Sequence, residues 1–150
     1  MLGKAIALAS KTHELQKDKG GKAYILHPIR IMMRLRTEDA ELMQIAMLHD
    51  VVEDAPDVSL NDLTVMGFST RVTDALNLLT HDRDVEYQDY VKAVATNYDA
   101  TRVKLEDLRD NSDITRLKGL RKKDFDRMEK YHRAYLFLKK TLANMEDCGY

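Results

Sequence analysis

The sequence predicts an all-α fold, a single helical bundle, from three observations. The chain has 150 residues, a length typical of one domain with a real hydrophobic core. Its apolar residues recur at helical spacing along nearly the whole chain. It contains only two prolines, Pro28 and Pro56, and six glycines, too few for the frequent turns of a small β-fold. We therefore predict one domain over residues 1–150.

Three helices are predicted in the first third of the chain. The first covers residues 2–16 and ends in the charged loop 17–22. The second begins at His27 and Pro28, because proline is well tolerated in the first turn of a helix. Thr37 is predicted to cap the third helix, which carries carboxylates in its first turn and runs towards Pro56. The predicted inner face of the second helix consists of Ile29, Ile31, Met32 and Leu35.

Five further helices are predicted after Pro56. The first two are short, and their candidate caps are Ser59 or Asn61 and Ser69 or Thr70. Residues 87–98 and 101–109 form two more, and a long terminal helix follows residue 121. The apolar stripe of the terminal helix is Phe125, Met128, Tyr131, Tyr135, Leu138 and Leu142. This stripe fits packing on the same domain or on a second subunit, so a homo-oligomer is possible.

The composition limits the classes of partner. Lysine plus arginine (24) nearly balances aspartate plus glutamate (25), and the net charge is -1. This balance argues against nucleic acid or a membrane surface as a partner, although it allows a basic cleft for a small anion. The single cysteine, Cys148, cannot form an internal disulfide. No apolar stretch approaches the roughly 20 residues that cross a bilayer, and we expect a cytoplasmic protein.

The most informative motif is the segment 48–54, Leu-His-Asp-Val-Val-Glu-Asp. In a continuous helix, residues four apart lie on one face, so His49 would stack with Glu53 and Asp50 with Asp54. Burying charged groups on an apolar helix costs free energy unless something compensates them. A bound metal ion is the simplest compensation.

Two residues outside this segment, His27 and Asp107, extend the set of possible metal ligands. Together with His49 and Asp50 they form a mixed nitrogen and oxygen set. Such a set suits Mn²⁺, Fe²⁺, Mg²⁺ or Zn²⁺, and the lack of thiolates argues against a structural zinc site. Four protein ligands on a six-coordinate ion would leave two positions for water and substrate, as a hydrolytic site requires.

Glu53 and Asp54 are the candidate catalytic residues. Glu53 is placed to take a proton from an attacking water or to position it, and Asp54 to orient a ligand or a metal-bound water. Packing or surface positions are expected for His13, His81 and His132, although His13 could contribute to the site.

Taken in order, these motifs resemble those of the HD-domain metal-dependent phosphohydrolases. Within that group they are most similar to the RelA/SpoT-type hydrolases, which remove pyrophosphate from (p)ppGpp. The matching segments are residues 13–16, 19–28, 48–54, 67–68 and 103–107, with Asn111. The resemblance implies a helical HD-domain bundle. It also implies metal-dependent hydrolysis of the 3′-pyrophosphate of (p)ppGpp to GDP or GTP and pyrophosphate.

The resemblance also implies roles for individual residues. Mn²⁺ would be bound by the four ligands named above, with Fe²⁺ and Zn²⁺ as alternatives, and residues 53–54 would activate water. Lys19 would lie near the phosphates or base of the substrate, and Asn111 near its ribose. Tyr24 matches a family position, with either a binding or a packing role. Lys104 would either attract phosphate or lie on a solvated face.

The chain departs from this family at Asp18, where members often carry an arginine that lies against the guanine. It also lacks the arginine that follows the asparagine in better-known members, and Arg109 or Arg116 is a possible replacement. Three functions therefore stay open. The first is a stand-alone (p)ppGpp hydrolase. The second is an HD phosphohydrolase of another nucleotide or phosphorylated metabolite, since a carboxylate cannot replace an arginine stacked on a purine. The third is a non-catalytic nucleotide-binding module, which has no need of two intact acids at positions 53 and 54.

Overall fold

Helices account for all regular secondary structure in residues 1–149, the part of the chain that the computed structural model describes. The only strand-like pairing in that range is one bridge between Lys17 and Ala23, which closes the loop after the first helix. The all-α prediction is confirmed. The assignment of residues 1–150 to one domain stays a prediction.

The described helices surround one central helix. Their bounds are α1 (Leu2–Thr12), α2 (Leu26–Arg34), α3 (Ala40–Leu48), α4 (Val51–Asp54), α5 (Leu60–Val65), α6 (Thr70–Leu79), α7 (Tyr87–Val94), α8 (Tyr98–Asn111) and α9 (Lys122–Asp147), with a 3-10 helix at Ile114–Arg116. Helix α3 packs against α1, α2, α6 and α8. Because neighbours cover it on all sides, apolar residues occur around most of its circumference. Its fully buried residues are Leu42, Ile45, Ala46, Met47 and Leu48.

Polar residues at the helix starts satisfy the first free N–H groups. Ser59 caps α5 and Ser69 caps α6, and each was one of the two candidates predicted for its helix. The predicted cap of α3 was wrong. Asp39, not Thr37, accepts hydrogen bonds from the N–H groups of Glu41 and Leu42, whereas the hydroxyl of Thr37 accepts from the N–H of Asp39.

The apolar stripe of the terminal helix is only partly buried. Helix α9 packs against α8 and α7 of its own chain. Its buried contacts centre on Ala134 and Leu138, with Tyr131 and Tyr135 partly covered. Phe125, predicted to belong to the inner face, is 60% exposed because it lies in the first turn of α9, at the edge of this contact.

Three predicted helices end earlier than expected, and one of them, α7, stops at Val94 instead of at residue 98. Helix α1 stops at Thr12 with His13 as its C-terminal cap, and a tight loop follows it. The third predicted helix is interrupted at residues 49–50. The His49 imidazole lies 2.8 Å from the carbonyl oxygen of Ala46, which in an unbroken helix would accept from the N–H of Asp50. The chain therefore starts a new turn, α4, after Asp50.

No helix among residues 1–149 is both long enough and apolar enough to span a bilayer.

Candidate metal centre and its flanking cavities

Two helices and one helix junction bring the four predicted ligands together. His27 lies in the first turn of α2, His49 and Asp50 form the junction of α3 and α4, and Asp107 lies on α8. Nε2 of His27 is 3.2 Å from Oδ1 of Asp107 and 3.6 Å from Oδ2 of Asp50. Nε2 of His49 is 3.0 Å from the same Asp50 oxygen and 3.9 Å from Oδ1 of Asp107. Ligand atoms of His27, His49 and Asp50 all lie within 4.8 Å of one another, so one ion could contact them together.

The two imidazoles are oriented as metal ligands usually are. Nδ1 of His27 is 2.8 Å from Oδ2 of Asp110, and Nδ1 of His49 is 2.8 Å from the carbonyl oxygen of Ala46. Both acceptors require a proton on Nδ1, so the lone pair of each ring is on Nε2. Each Nε2 is buried and has no hydrogen-bond partner. Buried polar atoms are rarely left unpaired, and a divalent cation would satisfy both nitrogens. The residues therefore fit a metal ion.

Without a cation, protons balance the charge of this centre. Burial lowers the pKa of His27, but the neighbouring carboxylates of Asp107 and Asp110 outweigh it and raise that pKa to about 9. Burial raises the pKa of Asp107, but the charges of Lys104 and the imidazoles hold it well below its usual range. A cation that bound here would displace protons from the imidazoles, so its affinity depends on pH.

Two predicted substrate-binding residues contact the ligand carboxylates directly. The hydroxyl of Tyr24 donates to Oδ2 of Asp50 over 2.6 Å. The amide of Asn111 donates to Oδ1 of Asp107 over 2.5 Å. Both side chains therefore orient the carboxylates, and both also line the adjoining cavities.

Glu53 and Asp54 follow the interruption of the helix and contact different neighbours. Oε1 of Glu53 accepts a 2.6 Å hydrogen bond from the backbone N–H of His81. Oδ2 of Asp54 accepts from the amide of Gln16 over 3.0 Å and lies 3.7 Å from Nδ1 of His13. Glu53 faces a cavity that also contains Asp50 and Asp107, whereas Asp54 contacts the end of α1.

Two cavities flank the ligand cluster and share Tyr24, Asn111 and Tyr131 as lining residues. The loop cavity, about 320 Å³, lies between the loop after α1 and the 3-10 helix. Its cationic lining residues are Lys17, Lys19, Arg116 and Arg127. The α7 cavity, about 230 Å³, is lined by residues that include Glu53, His81, Lys104 and Lys130. A substrate that reaches the ligand cluster would therefore meet mainly cationic side chains in the loop cavity and a mixture of lysines and carboxylates in the α7 cavity.

Lys104 lies inside the site rather than on a solvated face. Its ammonium group is 2.7 Å from Oδ2 of Asp107 and 5.1 Å from the centre of the Tyr90 ring. Burial lowers the pKa of Lys104, but Asp107 and Tyr90 outweigh it and raise that pKa well above the ordinary value. Lys104 therefore stays charged beside a ligand carboxylate.

Asp18 shapes the loop after α1 and pairs with one of the two candidate arginines. Its Oδ1 accepts from the N–H groups of Gly20 and Lys22, each over 2.9 Å, and its Oδ2 is 3.3 Å from Nη1 of Arg116. The loop packs so closely on the 3-10 helix that a Cβ at Gly20 would clash with the carbonyl oxygen of Arg116. Arg109 lies elsewhere, with its guanidinium on Tyr135. Of the two arginines, Arg116 is the one that lines the loop cavity.

Sequence reasoning missed one buried residue of the site and gave a second one, His13, only a possible role. His13 was expected to pack or face solvent, and a contribution to the site was left open. It is 1% exposed, it lies 4.9 Å from the Tyr24 ring, and its Nε2 has no partner. Asp110 was not considered, although it is fully buried against His27. The spacing of Asp107 and Asp110 on one helix could have predicted that Asp110 lies near the site, since residues three apart share a helix face.

No protein-family model matches the chain. Individual proteins do. The guanosine-3′,5′-bis(diphosphate) 3′-pyrophosphohydrolase of Vibrio cholerae is 33% identical over 100 residues, which are 65% of this chain and 14% of that protein. The enzyme of the same name from Aquifex aeolicus is 29% identical over 117 residues, or 73% of this chain and 16% of that protein.

A shorter relative matches at similar identity. The guanosine-3′,5′-bis(diphosphate) 3′-pyrophosphohydrolase MESH1 of Danio rerio is 34% identical over 119 residues, which are 71% of this chain and 64% of that protein. The chain thus covers less than two thirds of the length of each of these relatives. The similarities confirm the resemblance that the motifs predicted, because each of these proteins carries the name of a guanosine-3′,5′-bis(diphosphate) 3′-pyrophosphohydrolase.

Proposed function

We propose that the protein hydrolyses the 3′-pyrophosphate of (p)ppGpp to GDP or GTP and pyrophosphate, with a divalent metal ion. The central observation is the pair of buried, unpartnered Nε2 atoms of His27 and His49 beside the carboxylates of Asp50 and Asp107. The cationic loop cavity next to this cluster fits a polyphosphate. The names of the relatives supply the substrate class.

The proposed metal is Mn²⁺, held by His27, His49, Asp50 and Asp107. Mixed imidazole and carboxylate ligands suit Mn²⁺, and Fe²⁺ and Zn²⁺ remain alternatives on ligand chemistry. When bound, such an ion polarises a phosphoryl oxygen and lowers the pKa of a coordinated water.

Glu53 is the proposed proton acceptor. Burial raises the pKa of its carboxyl group, although the N–H of His81 opposes the shift. In the proposed step, the oxygen of a water molecule bonds to the phosphorus next to the ribose 3′-oxygen, and Glu53 takes the proton. The bond from phosphorus to the 3′-oxygen breaks, the ribose hydroxyl regains a proton, and pyrophosphate leaves. Asp54 would orient a metal-bound water, and its contacts with Gln16 and His13 would hold its carboxylate in position.

The loop cavity is the proposed binding site for the charged groups of the substrate. Lys19 would contact phosphate there, with Asn111 and Tyr24 closer to the ligand cluster. Burial and the neighbouring charge of Arg127 lower the pKa of Lys19. A small nucleotide is the only partner that this proposal requires. Cytoplasmic location and a homo-oligomeric state remain predictions.

Another phosphorylated nucleotide is the second candidate substrate, and the Asp18–Arg116 pair favours it. With Asp18 in the loop, a purine base would meet a carboxylate already engaged by an arginine instead of a free guanidinium. A different base or sugar could suit this surface better.

Chromatography of the reaction products tests both candidates. Purified protein is incubated with Mn²⁺ and either ppGpp or a panel of other nucleotides, with Asp50→Ala as the inactive control. GDP and pyrophosphate from the wild type alone would establish the (p)ppGpp hydrolase. Turnover of another nucleotide in preference to ppGpp would favour the second candidate. If manganese-loaded protein turned over no nucleotide, the result would favour the third function, a non-catalytic nucleotide-binding module.

A further inference from the structure

Asp110 is a fully buried carboxylate that contacts a proposed metal ligand. It lies on α8, one helical turn after Asp107, and its exposed fraction is 0%. Its Oδ2 lies 2.8 Å from Nδ1 of His27. On its other side, Oδ1 accepts from Nε of Arg30 over 2.7 Å and from Nη1 of Arg34 over 2.8 Å.

The surroundings of Asp110 keep it ionised. A buried carboxylate without partners is strongly destabilising. Three guanidinium groups compensate this one, because Nη1 of Arg116 also lies 3.3 Å from Oδ2. His27 therefore donates to a charged acceptor.

The other imidazole of the site has a weaker partner. Nδ1 of His49 faces the backbone carbonyl of Ala46, which is neutral. An ionised acceptor makes a stronger hydrogen bond than a neutral one. It also increases the electron density, and hence the ligand strength, of the opposite ring nitrogen. The two histidines of the site are thus not equivalent.

We propose that Asp110 is a positioning residue for the metal centre. It holds His27 in the tautomer with the proton on Nδ1, directs Nε2 towards Asp50 and Asp107, and makes His27 the stronger of the two imidazole ligands. This inference rests on the proposed metal-dependent function. Arginines 30, 34 and 116 act indirectly, by keeping Asp110 ionised in a buried position.

The affinity for Mn²⁺ tests this role without an activity assay. Free Mn²⁺ is titrated by electron paramagnetic resonance against the wild type, Asp110→Asn and Asp99→Asn. Asp99 is the matched control because it is also a buried carboxylate of α8 bound by an arginine, with Nε of Arg71 at 2.7 Å. We expect Asp110→Asn to bind Mn²⁺ about 10- to 100-fold more weakly and Asp99→Asn to stay within about two-fold of the wild type.

Two results of the titration would overturn the inference. One is wild-type affinity in Asp110→Asn. The other is an equal loss of Mn²⁺ affinity in Asp99→Asn. That result would mean that removing any buried charge from α8 weakens metal binding by disturbing the fold. Wild-type protein that binds no Mn²⁺ would instead contradict the proposed metal-dependent function, and the inference with it.

A measurement on the wild type covers the case in which Asp110→Asn does not fold. Nitrogen-15 NMR of the histidine side chains in zinc-loaded protein reports the tautomer of His27, because Zn²⁺ is diamagnetic. We expect a slowly exchanging proton on Nδ1 and a coordinated Nε2. A coordinated Nδ1, or a proton on Nε2, would contradict the positioning role.

Discussion

The hydroxyl of Tyr24 donates a 2.6 Å hydrogen bond to Oδ2 of Asp50, the same oxygen that lies 3.0 Å from Nε2 of His49. Tyr24 was predicted to bind substrate or to pack. Its strongest contact is instead with a proposed metal ligand, and its ring separates His13 from His27, at 4.9 and 5.3 Å between ring centres. Orienting Asp50 is therefore a function of Tyr24 before any substrate arrives.

Removing the Tyr24 hydroxyl should weaken metal binding. We expect Tyr24→Phe to lose about 1.5–3 kcal/mol of interaction with the Asp50 carboxylate, part of which appears as weaker Mn²⁺ affinity. Manganese titration measures the loss, and the control is Tyr98→Phe on α8, whose hydroxyl donates to Glu146 of α9. If Tyr24→Phe instead bound Mn²⁺ as tightly as the wild type and had a raised KM, the hydroxyl would be assigned to substrate binding.

Glu53→Gln should separate metal binding from turnover. Because Glu53 contacts His81 and lines the α7 cavity, its neutral isostere should leave Mn²⁺ affinity nearly unchanged. Loss of the proton acceptor should lower kcat by about 10²- to 10⁴-fold. Rates and Mn²⁺ titrations of Glu53→Gln and of the exposed control Asp57→Asn are compared. A Glu53→Gln enzyme with normal kcat would exclude Glu53 as the base.

The pKa of Lys19 predicts a pH-dependent affinity for substrate. Burial and Arg127 lower this pKa, so Lys19 loses its proton at a lower pH than an ordinary lysine. Its attraction for phosphate should therefore decline from a pH below the ordinary lysine range, and KM should rise there. Arginine stays charged in that range, so Lys19→Arg should remove the rise. The same pH profile of KM in wild type and Lys19→Arg would contradict the assignment.

The cap of α3 should be visible in the free energy of unfolding. Asp39→Ala removes the cap and an ion pair with Arg71, and we expect a loss of about 1 kcal/mol or more at neutral pH. Thr37→Ala, at the position first predicted as the cap, should cost less. Denaturant unfolding of both variants measures the difference.

The contribution of Asp39 should also depend on pH. The hydrogen bond from Arg71 lowers the pKa of Asp39 in the folded protein. Its stabilisation is therefore present above the pKa of the unfolded chain and is lost as pH falls through the folded value. The difference in the free energy of unfolding between wild type and Asp39→Ala should therefore become smaller in acid. A difference that does not change with pH would show that the charge of Asp39 does not contribute to stability.

Manganese should stabilise the folded protein. Binding to the folded state alone adds about 2.7 kcal/mol at a concentration 100 times the Kd. Thermal unfolding with Mn²⁺, and again after a chelator, measures this, and Asp50→Ala should show a much smaller shift. An equal shift of the unfolding temperature in both proteins would mean that Mn²⁺ binds at a site that does not include Asp50.

The sequence by itself determined the helical class and the residue types of the metal cluster, and it limited the start of α5 and of α6 to two candidate residues each. These features depend on short-range physics, because helical periodicity and capping by Ser59 or Ser69 act within one or two turns. The motif with His49 and Asp50 could be recognised for the same reason, since its residues are adjacent.

Only the tertiary structure decided which groups face each other. Asp110 meets His27 across 83 residues of sequence, and Arg116 meets Asp18 across 98. Helix periodicity also could not show which neighbours Glu53 and Asp54 contact, because the helix is interrupted at residues 49–50. Such contacts depend on how α2, α3 and α8 pack, and packing is a property of the whole chain rather than of any local pattern.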